Sequence, residues 1–427
     1  MSDTPTSMNT LDGFAVSSLS SRARTAWHAG STQAALTWWM KAFDLDPSMW
    51  WNALESLRIL RAQVDAVPVG PRLLLFSPHY ATNAYQGNLY SAAERYGFSV
   101  RPVDDLQLDP QLARASLTSG SVFHQHWLKE LYWRAPNLVS GRYAIDKHVA
   151  LLKTLKSFGV KVCWTLHNLI DHDPNNTQRQ TCDYAIQEMA RVSDQIFVHS
   201  KSAADALSAH CGLDWSFKCI KLEHPLYTNI ANLTTQNLPA ELDLRKIGGR
   251  RVLLCLGMIR PYKGVPELLT AFSEVIQNEE GSNLHLIIAG RLVDSQVSPL
   301  IKKLPEAIAE KISYIPRELT EAELAGLSRI GNISVTPYRN ILTSGSYYLS
   351  TSFALPTLAP NLGMFSEMVI DDDNGFLYDG TIEGLVNGIR RIAGMDPYRL
   401  SLVGARALEI NSHLTPEAVS DRFFSAL

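Results

Sequence analysis

The sequence predicts an α/β protein of two doubly wound halves facing a cleft, with a helical extension in front. Length is the first reason: 427 residues exceed what one hydrophobic core normally organises. The second is texture. From Arg72 onward, short apolar runs (RLLLFSP, SVFHQHW, KVCWTLHN, QIFVHS) alternate with longer amphipathic stretches, the pattern of a parallel sheet covered by helices. The third is that this pattern happens twice. After a looser stretch, TNIANLTTQNLPAELDLRKIGG, a second series begins with RVLLCLGMI and continues through LHLIIAG, KISYI, NISVTPY, PTLAP and GFLY. Two such halves put a ligand site in the cleft between them, at the carboxyl ends of the strands. The divisions read from this are a helical extension over 1–70, a first α/β domain over 71–235, a second over 249–395, and terminal helices over 396–427.

Composition narrows the class. The chain is 46% hydrophobic and 19% charged, which is globular, and its net charge of −3 argues against a nucleic-acid partner. Cys163, Cys182, Cys211, Cys219 and Cys255 form no CxxC pair and read as reduced thiols rather than a metal site or a disulfide frame. The opening MSDTPTSMNTLDG lacks a basic start and an apolar core, and no apolar run is long enough to span a bilayer. The expectation is a cytoplasmic protein, with peripheral contact at the inner face of a membrane open to it.

Within the extension, Gly30, Ala35, Trp39, Ala42 and Pro47 fall at the spacing of the second helix of a tetratricopeptide repeat. One unit cannot bury its own apolar face, so a helical hairpin packed on the first domain is the favoured reading. Partner docking and a Trp-rich membrane patch are the alternatives.

The strongest chemical signal is LGMIRPYKGVPELLTAF. A strand ends at Gly257, and Arg260 and Lys263 lie in the loop before a helix that starts near Val265. A diphosphate needs opposite charge and free backbone N–H groups, and this arrangement supplies both. Further on, Thr343, Ser344 and Gly345 precede another helical stretch. Two hydroxyls and a glycine at a helix start make a second phosphate cradle, as well as an ordinary N-cap.

These segments occur in order with IIAGR, Pro356, Gly363 with Glu367, and DNGFLY over 373–378. Taken together, over roughly 72–395, the chain resembles the GT-B glycosyltransferases close to glycosyltransferase family four. Gly257, Lys263 and Gly264 look like that family's phosphate loop, and Ala289, Gly290 and Arg291 like the strand end beneath the base. The resemblance implies two Rossmann-like domains, with the last helices crossing back onto the first. It also implies that Arg260 and Lys263 bind the donor diphosphate, that Glu367 contacts donor hydroxyls, and that no cofactor or metal takes part. One departure stands out. The family's paired glutamates would fall near Ile341 and Leu349, neither acidic, and the TSG segment in their place is similar to β-mannosyl and exopolysaccharide transferases. Retention of configuration therefore cannot be assumed.

On the first domain, SPHYATNAYQGNLYSAAERYGFSV resembles the opening strand, loop and helix of GT-B enzymes, with Asn83, Tyr85 and Gln86 as polar groups suited to an acceptor sugar. His167 and Asn168 sit where the strand KVCWTLHN gives way to a loop on the cleft rim. There His167 is the candidate base and Asn168 orients substrate. His126 is read as a further acceptor contact. Alternating with it, His124, and beyond them His172, suggest a metal only weakly, since no carboxylate or cysteine stands at ligand spacing. Basic and aromatic residues mixed between Trp127 and Lys156 suit anionic headgroups or a lipid diphosphate, though a solvated amphipathic helix explains them as well.

The reading that follows is a hexosyltransferase moving sugar from a nucleotide sugar, GDP-mannose ahead of a UDP-hexose, to a glycan or lipid-linked glycan. Its catalytic residues are His167, Arg260 and Lys263. The donor site comprises Gly257, Arg260, Lys263, Arg291, Thr343, Ser344, Gly345 and Glu367. A sugar-nucleotide epimerase on the same scaffold and a non-catalytic scaffold protein are the rivals.

Overall fold

Two parallel six-stranded sheets organise the protein in the computed structural model, which describes residues 10–46, 55–56, 72–80, 83–103, 120–169, 176–234, 237–278 and 281–427. The first sheet contains β1 (Arg72–Ser77), β2 (Phe98–Pro102), β3 (Val122–Gln125), β4 (Lys161–Thr165), β5 (Gln195–Val198) and β6 (Cys219–Lys221), in the order β2-β1-β3-β4-β5-β6. The second contains β7 (Arg251–Leu256), β8 (Leu284–Ala289), β9 (Ile312–Ile315), β10 (Ile333–Val335), β11 (Thr357–Pro360) and β12 (Phe376–Tyr378), in the order β12-β11-β10-β7-β8-β9.

The apolar runs of the sequence are these strands. β7 and β8 are buried at every position, because helices cover both faces of a parallel sheet and leave no solvent side to alternate toward. The one polar intruder in β8, His285, bonds the Ser313 hydroxyl of β9 at 2.8 Å through Nε2. Chain order reverses between β1 and β3 in the first sheet and between β7 and β10 in the second. Such switch points open crevices at the carboxyl ends of the strands, and they bring the loops after β1, β3, β7 and β10 toward the cleft.

The two C-terminal helices divide their attachments. Pro397–Asn411 packs into the core of the second sheet through Leu400 and Val403. Pro416–Ala426 lies on the first sheet's side: Ser420 Oγ donates to the Leu89 carbonyl at 2.7 Å and accepts from the Ala92 amide at 2.9 Å. Phe423, fully buried, packs its ring against Tyr90, His124 and Phe197. The crossing thus falls between the two helices, not at Asp396.

The extension begins as a helical hairpin, Thr10–His28 and Thr32–Leu45, closed by Ala23, Ala35 and Trp39. It docks on the helix Leu138–Ser157, where Lys147 pairs with Asp44 at 2.5 Å and lies over the Phe43 ring. Pro47, Trp50 and Trp51 lie outside the described residues, as does His172. No helix among the described residues is long and apolar enough to cross a membrane.

Candidate functional site

The loop after β7 is built around a buried ammonium. Lys263 is 7% exposed, with Nζ 3.4 Å from the Leu256 carbonyl, 3.3 Å from Ser346 Oγ and 5.1 Å from the centre of the Tyr338 ring. Burial works against its charge, but the Tyr338 and Tyr262 phenols more than offset that and hold its pKa above the ordinary lysine value. Gly257 makes the position possible. Its φ is +102°, and a Cβ there would stand 2.8 Å from Lys263 Nζ. Gly264 is constrained more severely, since a Cβ would come within 1.9 Å of the Pro337 carbonyl. Arg260 Nε and Arg291 both reach the Met258 sulfur, at 2.9 and 3.5 Å, so the two guanidiniums flank one side chain.

These cations face residues of the first domain across a cavity of about 890 Å³, whose lining includes Arg260, Lys263, Arg291, Asn83, His167 and Asn168. A second cavity of about 720 Å³ shares His167, Asn168 and Tyr262 with it and extends to Arg339, Thr343 and Gly363. Thr343 Oγ1 is buried there without a protein partner, immediately before the helix Gly345–Ser352. An orphan hydroxyl at a helix start is what a bound anion would satisfy. Ser344 instead caps the helix, its Oγ accepting from the Tyr347 amide at 3.2 Å. Because Lys263 touches Ser346 of the same helix, ammonium and helix N-terminus form one positive corner.

Opposite them, His167 is 8% exposed and stacks on Trp127, ring centres 4.2 Å apart and 13° from parallel. Its Nε2 lies 3.1 Å from His126 Nδ1. Burial, followed by the nearby imidazoles of His126, His199 and His224, pulls its pKa well below the usual histidine value, so the ring is neutral at neutral pH.

Residues 250–394 match the family model described as glycosyl transferases group 1. A GDP-mannose:glycolipid 4-beta-D-mannosyltransferase of Xanthomonas campestris pv. campestris is 27% identical over 358 residues, covering 79% of this chain and 87% of the relative. Among solved structures, Anabaena HepE in complex with UDP and glucose superposes with a TM-score of 0.59 at 12% identity, over 84% of this chain and all of that one. Sucrose-phosphate synthase from Thermosynechococcus elongatus gives 0.60 at 15%, over 83% and 97%. The chain is a GT-B glycosyltransferase.

The geometry of this glycosyltransferase reassigns several residues singled out from sequence. Gln86 is buried and spent on its own loop, accepting from the Tyr80 amide at 3.0 Å and donating to the Pro78 carbonyl at 2.7 Å. Tyr85 is buried among the rings of His126, His167, His199 and His224. His126 has both nitrogens engaged, by Tyr90 and His167, and offers none to an acceptor. Asn83 remains on the cavity but uses Oδ1 to cap the short helix Ala84–Leu89. Gly345 faces Tyr227 rather than either cavity. Ser346 and Tyr338, partners of Lys263, escape a sequence reading because nothing local ties them to it, whereas Tyr262 stands directly before it in the RPYKG run.

Glu367 departs furthest from expectation. Its carboxylate reaches across to the first domain and accepts from the Lys201 amide at 3.0 Å and the Ser202 amide at 2.6 Å, at the N-terminus of the helix Lys201–Cys211. That helix end has orphan N–H groups and a positive dipole end, both suited to a carboxylate. Burial would raise its pKa, but the bonds from Ser202 and Lys201 win and lower it. A depressed carboxylate pKa stabilises the fold above the ordinary glutamate pKa, and the contribution fades as pH falls through the folded value. Glu367→Gln should therefore cost about 1 kcal/mol at pH 7, as for a lost cap. The gap from wild type should narrow as pH falls through the acidic range, measured by urea unfolding; a pH-independent gap would mean the charge contributes nothing.

Proposed function

We propose that the enzyme transfers mannose from GDP-mannose to a sugar hydroxyl of a lipid-linked glycan, with inversion. The observation that carries this reading is the arrangement of a neutral His167 across one cavity from Arg260, Lys263 and Arg291. The acceptor oxygen attacks the anomeric carbon and gives its proton to His167, while the electron pair of the breaking bond leaves on the diphosphate. Arg260, Lys263, the Thr343 hydroxyl and the start of the helix Gly345–Ser352 meet the charge that develops there, which is stabilisation placed where the transition state needs it. Arg291, at the end of β8, borders the donor. No cofactor is invoked, and protein cations stand where a metal would otherwise neutralise the diphosphate.

Inversion follows from chemistry. GDP-mannose holds mannose in an α-linkage, so a β-mannoside, the product implied by the X. campestris relative's name, needs attack from the opposite face. It needs a base as well. Ile341 and Leu349, both buried, supply no carboxylate on the donor side. A free His167 of depressed pKa is a weak acceptor, but the arriving diphosphate brings negative charge into the cavity, which favours the imidazolium and raises the pKa again.

The acceptor's lipid would lie at the inner face of a membrane. Lys147 and Lys156 are committed to Asp44 and Asp194, but Trp133, with Arg134 over its ring at 4.8 Å, and Val139 are exposed. A cavity of about 580 Å³ beside them shares Tyr80, Glu130 and Trp133 with the main cavity. It offers a glycan on a membrane-held lipid a way in.

Lys263→Ala removes a charge-assisted bond worth roughly 1.5–3 kcal/mol, so donor affinity should fall about ten- to a hundredfold. Thermal-shift titration reads this directly: GDP should stabilise the wild type more than UDP does, and the variant much less. Equal stabilisation of both proteins would overturn the phosphate assignment, and a preference for UDP the donor. For the membrane, flotation with anionic liposomes should carry the protein at low salt and lose it at high salt; Trp133→Ala and Arg134→Ala together should weaken it. Absence of flotation at low salt would refute the contact.

A further inference from the structure

A single hydrogen-bonded chain runs inward from His167. Its Nε2 meets His126 Nδ1 at 3.1 Å, His126 Nε2 meets the Tyr90 hydroxyl at 2.7 Å, Tyr90 meets His124 Nδ1 at 2.8 Å, and His124 Nε2 meets Thr165 Oγ1 at 2.7 Å. The chain leaves from the loop after β4 and returns to the end of β4 itself. Tyr90, His124, His126 and Thr165 are all buried, and His126 also borders the main cavity beside His167. Transfer chemistry as described above uses none of them.

We propose that His126, Tyr90 and His124 are positioning residues that fix the tautomer of His167, leaving its Nδ1 bare toward the cleft. This rests on the reading of His167 as the base and names what makes it one. Burial, with neighbouring imidazoles adding to it, pulls the pKa of His124 and of His126 well down, so each ring carries one proton. The Tyr90 hydroxyl also has one proton, and it stands between two ring nitrogens. It can donate to one only and must accept from the other. The bonds therefore all point the same way along the chain. If His126 donates to Tyr90 through Nε2, its Nδ1 is bare and must accept the Nε2 proton of His167. The reverse direction would put the proton of His167 on Nδ1. In that form the ring could donate to substrate but not accept from it.

The cavity chooses between the two directions. His167 shares it with Lys129, Arg260, Lys263 and Arg291 against the two carboxylates Glu130 and Glu318, and a bare nitrogen, the negative end of the imidazole dipole, is favoured toward this excess of cations. An N–H pointing at the same charges is not. The inward direction thus gives Nε2–H on His167, His126 and His124, with Thr165 accepting at the end. The logic is that of a base oriented by a second group, here a neutral imidazole in place of a carboxylate. Stacking on Trp127 holds the ring plane, and the chain holds its protons.

The test is spectroscopic and then kinetic. In the full chain labelled with ¹⁵N-histidine, long-range proton–nitrogen correlations at neutral pH distinguish protonated from bare ring nitrogens, with His167→Gln, His126→Gln and His124→Gln variants assigning the signals. The proposal expects all three residues protonated on Nε2; a proton on Nδ1 of His167 would overturn it. Tyr90→Phe keeps the ring and cuts the chain. The expected result is a mixed tautomer at His167 and a kcat lower by about ten- to a hundredfold with GDP affinity unchanged. That is less than the ~10⁴ lost when a serine protease triad loses its aspartate, because His126 orients without charge. A folded Tyr90→Phe enzyme with wild-type kcat would also overturn it, and should that variant not fold, the wild-type tautomers alone decide. Failure of the base reading is separate: His167→Ala would then keep its kcat, whatever the tautomers show.

Discussion

A lysine ammonium out of contact with bulk water is unfavourable unless its charge is met, and most of the donor side of this enzyme can be understood from how Lys263 is met. Its partners are a carbonyl at the end of β7, a hydroxyl at the start of the helix Gly345–Ser352, and the face of Tyr338. None is an anion. The Lys263 ammonium therefore meets no anion, and it stands beside a helix N-terminus and an unpartnered Thr343 hydroxyl, so an anionic ligand is its natural complement. Gly257 has no side chain because the ammonium passes where a Cβ would be, and Gly264 has none because the Pro337 carbonyl lies against it.

The other wall of the cleft follows from the same charge. On the proposed reading, a base that faces cations must be neutral and must present a lone pair, and burial among aromatic rings meets the first condition for His167. His199 and His224, pulled down to about 4 and about 3 chiefly by burial, keep their surroundings neutral too. Glu367, which crosses from one domain to cap a helix of the other, sets how these walls face each other in this arrangement.

Much of this was legible in the residues. Continuous apolar runs marked β7 and β8, the repeated alternation of such runs with amphipathic stretches marked the doubly wound halves, and a basic loop before a helix marked Lys263. What was not legible depended on contacts distant in sequence. Gln86 and Tyr85 look like acceptor-facing polar groups until the fold turns them inward, and Glu367 looks like a ligand contact until a helix 165 residues earlier presents its amides. His124 and His126 did carry a signal, since alternation on a strand puts them on one face. Only the tertiary position of Tyr90 shows that the pair is joined in one hydrogen-bonded chain.

The central claim is that a neutral base and a cationic diphosphate site act from opposite sides of the sugar. The anomeric configuration of the product tests it most directly, through the one-bond carbon–proton coupling at the transferred sugar's anomeric carbon after turnover with GDP-mannose. The account predicts a β-mannoside. An α-mannoside would contradict it, since retention would leave the wall that carries His167 with no proton to take.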